Sequence, residues 1–130
     1  MSRLKPRKQT SAPAPDSVPY TLRIAAAAAD HKAADVCVYD VRGLTLIADS
    51  FVICSASSEP QMKAIQNAVL KAMREAGKRP LHTEGEAAGA WLVLDYGDVI
   101  FHVFREEARE YYDLDGLWGD APQIVLDPKT

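Results

Sequence analysis

Three serines between an apolar run and a helical pattern are the first residues whose position could support chemistry. Ser55, Ser57 and Ser58 stand at a strand-to-helix junction, where some hydrolases place a nucleophile. However, the seven glycines are scattered, and the sequence contains no GxxxxGK or GxGxxG phosphate loop, no GxSxG elbow and no HExxH motif. Gln61 stands three residues after Ser58, so this pair predicts a helix cap rather than a catalyst.

Carboxylates and thiols near the first two predicted strands could hold a metal ion. Asp35, Asp40 and Asp49 flank these strands, but aspartates at strand ends commonly serve turns and caps, and we predict that role here. Cys37 and Cys54 lie inside apolar runs with no further Cys or His at ligand spacing. The sequence therefore predicts two reduced, buried thiols, and we expect no metal and no cofactor.

A single histidine in an apolar strand offers the only hydrolytic arrangement. His102 could act as a base with Asp95 or Asp98. A lone strand histidine is more often packed or hydrogen-bonded, and the two aspartates bracket Gly97 as a tight turn requires. We therefore predict no catalytic residue and keep recognition as an alternative role for Asp95, Tyr96 and Asp98.

The C-terminal third combines carboxylates with large rings. Residues 84–127 hold 11 acidic and two basic side chains, a net charge of −9, whereas the whole chain carries −3. Such a surface repels a phosphate backbone and complements a basic protein. Tyr111 and Tyr112 are adjacent on a predicted helix and about 100° apart, so they cannot both face the core. Exposed rings with a carboxylate rim are typical of protein interfaces.

Hydrophobic periodicity predicts the elements that position these residues. We predict helices at 20–33, 58–76 and 105–112 with a further turn at 114–118, and strands at 35–41, 50–56, within 82–89, at 91–95 and at 99–104. The run 50–56 is apolar almost throughout, which is typical of a central strand buried on both faces. The order of elements predicts an α/β fold, an α+β mixed sheet of about five strands flanked by helices.

The chain of 130 residues fits one domain. We predict a disordered basic tail at residues 1–17, a folded domain at 18–121 and a loosely ordered C-terminal tail at 122–130. The first tail holds four basic and no acidic side chains before residue 16, so an organellar targeting segment is an alternative, although its prolines disfavour the helix that such segments form. No apolar run approaches the roughly 20 residues of a membrane span.

Several short stretches, weak singly, together resemble the ribosomal silencing factor family, also called the Iojap family, over about residues 22–123. In chain order these stretches are Asp35-Val36 with Val38 and Asp40-Val41, Ala48-Asp49-Ser50-Phe51-Val52-Ile53, Ser58, Glu84-Gly85, Trp91-Leu92-Val93-Leu94-Asp95-Tyr96-Gly97-Asp98-Val99, His102-Val103-Phe104, Arg109-Glu110-Tyr111-Tyr112 and Leu114 through Leu117-Trp118. Cys54 and Ala56 depart from the small polar or glycine residues that are more usual there.

The resemblance implies a fold related to nucleotidyltransferases without their activity, and the chain has no Gly-Ser followed by Asp-x-Asp. It also implies a homodimer that binds protein fourteen of the large ribosomal subunit and sterically blocks the small subunit. Translation would then be repressed when nutrients are short. Together with the acidic, aromatic surface, the resemblance predicts these partner contacts: Asp95, Tyr96, Asp98, Arg109, Tyr112, Leu117, Trp118 and Asp120.

Two other interpretations stay open at this point. One is a nucleotidyltransferase-like enzyme acting on a nucleotide or an RNA end, which would bind nucleotide with Mg²⁺. The other is a dimeric adaptor for a different basic partner. We expect no membrane association and no sequence-specific nucleic-acid binding. The expected location is the bacterial cytoplasm, although the family also has organellar members.

Overall fold

The structure, a computed structural model, describes residues 18–117 and 121–124. Trp118 and Asp120, the tail at 1–17 and residues 125–130 lie outside the described residues. The elements in chain order are α1 (Val18–Asp30), β1 (Ala34–Asp40), β2 (Ser50–Ala56), α2 (Glu59–Glu75), β3 (His82–Glu84), β4 (Trp91–Asp95), β5 (Val99–Arg105), α3 (Glu106–Tyr112), α4 (Leu114–Leu117) and β6 (Gln123–Ile124).

One mixed sheet forms the centre of the domain, in the order β3-β4-β5-β2-β1-β6. The strands β2 and β5 pair in parallel, and the neighbouring pairs are antiparallel. Every residue of β2 is buried, because helices or loops cover both faces of this central strand. The predicted mixed sheet flanked by helices is confirmed.

Alternate side chains of the central strands supply two separate cores. Val52 and Cys54 of β2 pack with α1 and α2 on the first face. Phe51 and Ile53 point to the second face, where they pack with Ala108 of α3. Because α3 and α4 are short, the second face is less completely covered by helices than the first. This asymmetry leaves room for a binding site.

The start of α2 follows the predicted capping chemistry with one difference. The Ser58 hydroxyl accepts a hydrogen bond from the Gln61 backbone N–H at 3.2 Å, and Pro60 lies in the first turn. In a capping box the Gln61 side chain would accept from the backbone of Ser58. Here its Oε1 accepts instead from the Ser57 backbone N–H at 2.8 Å, so the cap reaches one residue further back.

Two features differ from the sequence prediction. The helix α1 ends at Asp30, before the predicted residue 33, because Lys32 adopts a left-handed φ of 63° that stops the helix. In the predicted tail, Gln123 and Ile124 form β6 against Tyr39 and Val38 of β1. Such a two-residue strand owes its existence to the partner strand and has no local signal.

Candidate functional site

A groove of about 680 Å³ opens on the second face of the sheet. Its apolar lining comes from the β1–β2 connection, the sheet and α4: Ile47, Phe51, Trp91, Val93, Ile100, Leu114 and Leu117. The polar lining residues are His82, Glu84, Asp95 and His102. No lysine or arginine lines the groove in the part of the chain that the structure describes. We call this site the aromatic groove.

Stacked rings build one side of the aromatic groove. The Trp91 ring stacks on Phe104 of the neighbouring strand, with centroids 4.8 Å apart. Tyr112 of α3 approaches the same indole at 5.0 Å, and Phe51 meets His102 edge-on at 5.2 Å. Offset and edge-to-face contacts of this kind fix ring orientation and stabilise the cluster beyond simple burial. The groove wall is therefore a preformed surface.

His102 is held as a neutral hydrogen-bonding residue in this wall. The indole Nε1–H of Trp91 donates to His102 Nδ1 at 3.1 Å. Burial lowers the pKa of His102 to about 4, so the ring is neutral at pH 7 and carries its proton on Nε2. Because Nδ1 accepts from Trp91 and carries no proton, it cannot donate to a carboxylate, so the hydrolytic pairing with Asp95 or Asp98 gains no support from this geometry.

Arg109 fastens the short helices to the sheet. Its guanidinium donates to both carboxylate oxygens of Asp115 at 2.9 Å, to the Asp35 carbonyl at 2.7 Å and to the Ser55 hydroxyl at 3.0 Å. The Arg109 side chain is only 13% exposed. Asp35 reaches this position through a left-handed φ of 49° beside the β1 bulge. Arg109 therefore joins α3 and α4 to two strands.

The same cluster shifts the titration of its acidic members. Burial alone would raise the pKa of Asp115, but hydrogen bonds from Arg109 and Tyr39 lower it overall. Burial and the hydrogen bond to Asp115 raise the pKa of Tyr39, whose hydroxyl donates to that carboxylate at 2.9 Å. Asp115 is therefore ionised at pH 7 and paired with Arg109, and Tyr39 stays neutral.

The predicted contact residues occupy three places. Asp95 and Leu117 line the aromatic groove, and Tyr112, half exposed, packs beside Trp91. Arg109 lies instead in the cluster that it forms with Asp115, the Asp35 carbonyl and Ser55.

Tyr96 packs instead against the first core, and Asp98 lies with it in a small cleft on the side of the two long helices. Burial raises the pKa of the Tyr96 phenol to about 12. The placement follows from strand alternation, because Asp95 and Tyr96 point to opposite faces.

Two residues of the site had structural roles that the sequence did not predict. Ile47 lies in the connection between β1 and β2, where the sequence predicted no site residue, and its exposed side chain lines the groove. Asp115 is one of the acidic residues of the C-terminal third, where we expected an interface rim, and its side chain is bound instead to Arg109. Both depend on contacts between residues far apart in the chain, which periodicity does not report.

Asp95 also has a structural function. Its Oδ1 accepts from the Gly97 backbone N–H at 2.7 Å, which sets the turn between β4 and β5. Within 18–117 and 121–124, no three side chains among His, Cys, Asp and Glu come together as metal ligands. In the same ranges no helix has the length and apolar character needed to cross a membrane.

Comparison with known proteins assigns the chain to a family. A sequence model described as "Ribosomal silencing factor during starvation" matches residues 14–130. The chain belongs to this ribosomal silencing factor family. The resemblance drawn from the short sequence stretches is thereby confirmed.

Named relatives come from bacteria and from chloroplasts. The ribosomal silencing factor of Bacillus subtilis is 43% identical over 107 residues, which cover 82% of this chain and 91% of that protein. The ribosomal silencing factor of Halalkalibacterium halodurans is 42% identical over 75% of this chain and 84% of that protein. The chloroplastic protein Iojap of Arabidopsis thaliana is 32% identical over 85% of this chain and 46% of its own length.

Solved structures share the fold. A crystal structure of a Chromobacterium violaceum protein matches with a TM-score of 0.75 and 33% identity, covering 78% of this chain and 84% of that one. A crystal structure from Bacillus halodurans matches with a TM-score of 0.70 and 37% identity, covering 81% and 96%. The mixed sheet and its helices are therefore the family's architecture.

Proposed function

We propose that this member of the ribosomal silencing factor family binds the large ribosomal subunit through protein fourteen and prevents the small subunit from joining. The observation that carries the proposal is the aromatic groove, with Glu84 and Asp95 at its rim and no basic side chain in its described lining. An apolar, aromatic site with a carboxylate rim complements a basic protein that presents aliphatic side chains.

The exposed ends of the groove supply anchors for such a partner. Ile47 and Leu117 line the groove and expose most of their side chains. Burying two aliphatic side chains of this size against a partner would contribute roughly 1.5–3 kcal/mol each. His102 also lines the groove, but its Nε2 is buried, so we assign this residue to the groove wall and not to the partner contacts.

The mechanism that we propose is steric exclusion, with no bond-making step and no cofactor. The domain would occupy the joining face of the large subunit, and its bulk would keep the small subunit away. Translation would fall in proportion to the large subunits that are occupied, which fits repression when nutrients are short. Trp118 and Asp120 follow the groove residue Leu117 in the sequence, and we keep both as proposed contacts.

We further propose that the protein acts in the cytoplasm and forms a homodimer. Leu44 and Leu46 in the β1–β2 connection are exposed apolar side chains, and such residues are suited to contact with a second chain. Sedimentation velocity of the purified protein measures the dimer directly, and a purely monomeric protein at high micromolar concentration would rule it out.

A charge-introducing substitution in the groove tests partner binding. Leu117 is 70% exposed and lines the groove, whereas Leu81 is 67% exposed and lies outside that lining. We expect Leu117→Asp to weaken binding to isolated large subunits by about 2 kcal/mol, roughly 30-fold, as loss of an interface anchor does. The matched control Leu81→Asp should bind as the unmodified protein does.

Two isosteric substitutions test the carboxylate rim. Asp95→Asn removes the charge and keeps an oxygen that accepts from the Gly97 backbone N–H. Glu84→Gln removes the charge of an exposed side chain. Both should slow association with the large subunit and weaken its salt dependence. If the variants Leu117→Asp, Asp95→Asn and Glu84→Gln all bind the large subunit as tightly as the unmodified protein does, the aromatic groove is excluded as the docking site.

A further inference from the structure

A second charged surface lies at the C-terminal end of α2. Arg74, Lys78 and Arg79 line a concavity of about 430 Å³, together with Leu70 and Pro80. The three cationic side chains are exposed. Two of them follow Gly77, whose φ of +81° ends the helix and turns the chain. We call this surface the basic concavity.

The charge of the basic concavity is largely uncompensated. The ion pairs of the described chain join Arg42 with Asp40, Lys71 with Glu75 and Arg109 with Asp115. None of them involves a cation of the concavity. Of the nearby carboxylates, Glu75 is paired with Lys71, and Asp98 shares a small neighbouring cleft with Lys78. Three cations without an ion pair of their own give a local positive potential.

The basic concavity and the aromatic groove belong to different faces of the sheet. Met73, one residue before Arg74, packs into the first core with α1. Leu114 of α4, which lines the groove, packs into the second core. The two surfaces share no lining residue, so a ligand in the groove does not itself occupy the basic concavity.

We propose that the basic concavity binds the phosphate backbone of RNA without reading its sequence. Arginine donates in a planar fork that matches phosphate oxygens, and lysine adds a point charge. Leu70 and Pro80 give the concavity an apolar side against which a sugar or base can lie. RNA fits better than an acidic protein, because its backbone carries a charge at every nucleotide and its sugars and bases can lie on the apolar side.

Salt dependence gives the proposal a number. Three phosphate contacts to single-stranded RNA predict a slope of about −2 in a plot of log K against log salt. If binding at about 1 M salt stays the same, loss of that slope weakens RNA binding at about 0.05 M salt by roughly 400-fold. The measurement is fluorescence anisotropy of a labelled single-stranded RNA of mixed sequence, titrated with the full chain at several salt concentrations.

Matched variants separate the basic concavity from other cations. The test variant is Arg74→Gln with Lys78→Gln and Arg79→Gln. The control Lys63→Gln with Lys71→Gln removes two exposed cations of the same helix outside the concavity. A second control replaces Arg3, Lys5, Arg7 and Lys8 with Gln. Circular dichroism and thermal midpoints establish that each variant is folded.

We expect the slope of log K against log salt to become less negative by about 2 in the test variant and to stay unchanged in both controls. Asp98→Asn should strengthen RNA binding, since it removes the nearby carboxylate, and Leu117→Asp should leave RNA binding unchanged. RNA binding that is unaffected in the test variant, or that is lost only with the N-terminal cations, would overturn the proposal. Tighter binding of polyglutamate than of RNA would also overturn it. Binding of the large-subunit protein is measured separately, so either proposal can fail alone.

Discussion

The guanidinium of Arg109 is the structural link between α3–α4 and the strands, and its removal tests whether this residue fastens the site rather than contacting a partner. Arg109→Met keeps the long apolar stem and removes the hydrogen bonds to Asp115, the Asp35 carbonyl and Ser55. Asp115 then keeps its charge without its cation. Breaking a buried ion pair by removing one member costs about 3–5 kcal/mol.

The exposure of Asp115 sets the expected value within that range. Its side chain is 27% exposed, so water compensates part of the loss, and we expect Arg109→Met to lower the free energy of unfolding by about 3 kcal/mol. The matched control is Arg42→Met, which breaks a pair with Asp40 whose side chains are 26% and 24% exposed. That pair joins residues two positions apart, and its arginine is twice as exposed as Arg109, so its loss should cost about 1 kcal/mol or less.

Urea unfolding followed by circular dichroism measures both values. With a slope of about 1.5 kcal/mol/M, the Arg109→Met midpoint should fall by about 2 M. A double-mutant cycle with Asp115→Asn should give a coupling energy of about 1–3 kcal/mol. A loss no larger than that of Arg42→Met, without coupling, would refute the fastening role and return Arg109 to the list of partner contacts.

Three further predictions concern stability. His102 has a pKa of about 4 in the fold, against about 6.5 unfolded, so stability should fall as the pH drops from about 6.5 to 4, by up to about 3 kcal/mol. In His102→Gln this part of the pH dependence of unfolding should vanish, and its persistence would contradict the burial argument. Gly85→Ala should cost more than 2 kcal/mol, because a Cβ there would lie 2.2 Å from the Trp91 carbonyl oxygen at a φ of +77°. The control Gly77→Ala, with open space at a φ of +81°, should cost about 1 kcal/mol by thermal unfolding. Ser58→Ala should cost about 1 kcal/mol in the same assay, and a neutral result would remove the cap from the account.

Local chemistry made the central elements predictable. The apolar run 50–56 was predicted as a strand buried on both faces, and β2 has those bounds and that burial. Ser58 and Gln61 marked the start of α2, because capping depends on a few neighbouring atoms. The tight turn across Tyr96-Gly97-Asp98 set the hairpin of β4 and β5 for the same reason.

Contacts between distant residues account for what the sequence did not predict. Arg109 meets Asp35 across 74 positions, and Asp35 must adopt a left-handed conformation to present its carbonyl. Neither an arginine nor an aspartate predicts that contact by its residue type. The acidic, aromatic surface was predicted as one patch, but strand alternation separates Asp95 from Tyr96, and the groove depends on Ile47 from a remote connection.

The most direct test of the central claim is sedimentation of isolated large and small ribosomal subunits with the purified protein. We predict that the protein travels with the large subunit and lowers the fraction of joined ribosomes, and that Leu117→Asp does neither while Leu81→Asp does both. A joined fraction that stays unchanged at excess protein, or protein that travels with the small subunit, would contradict the account.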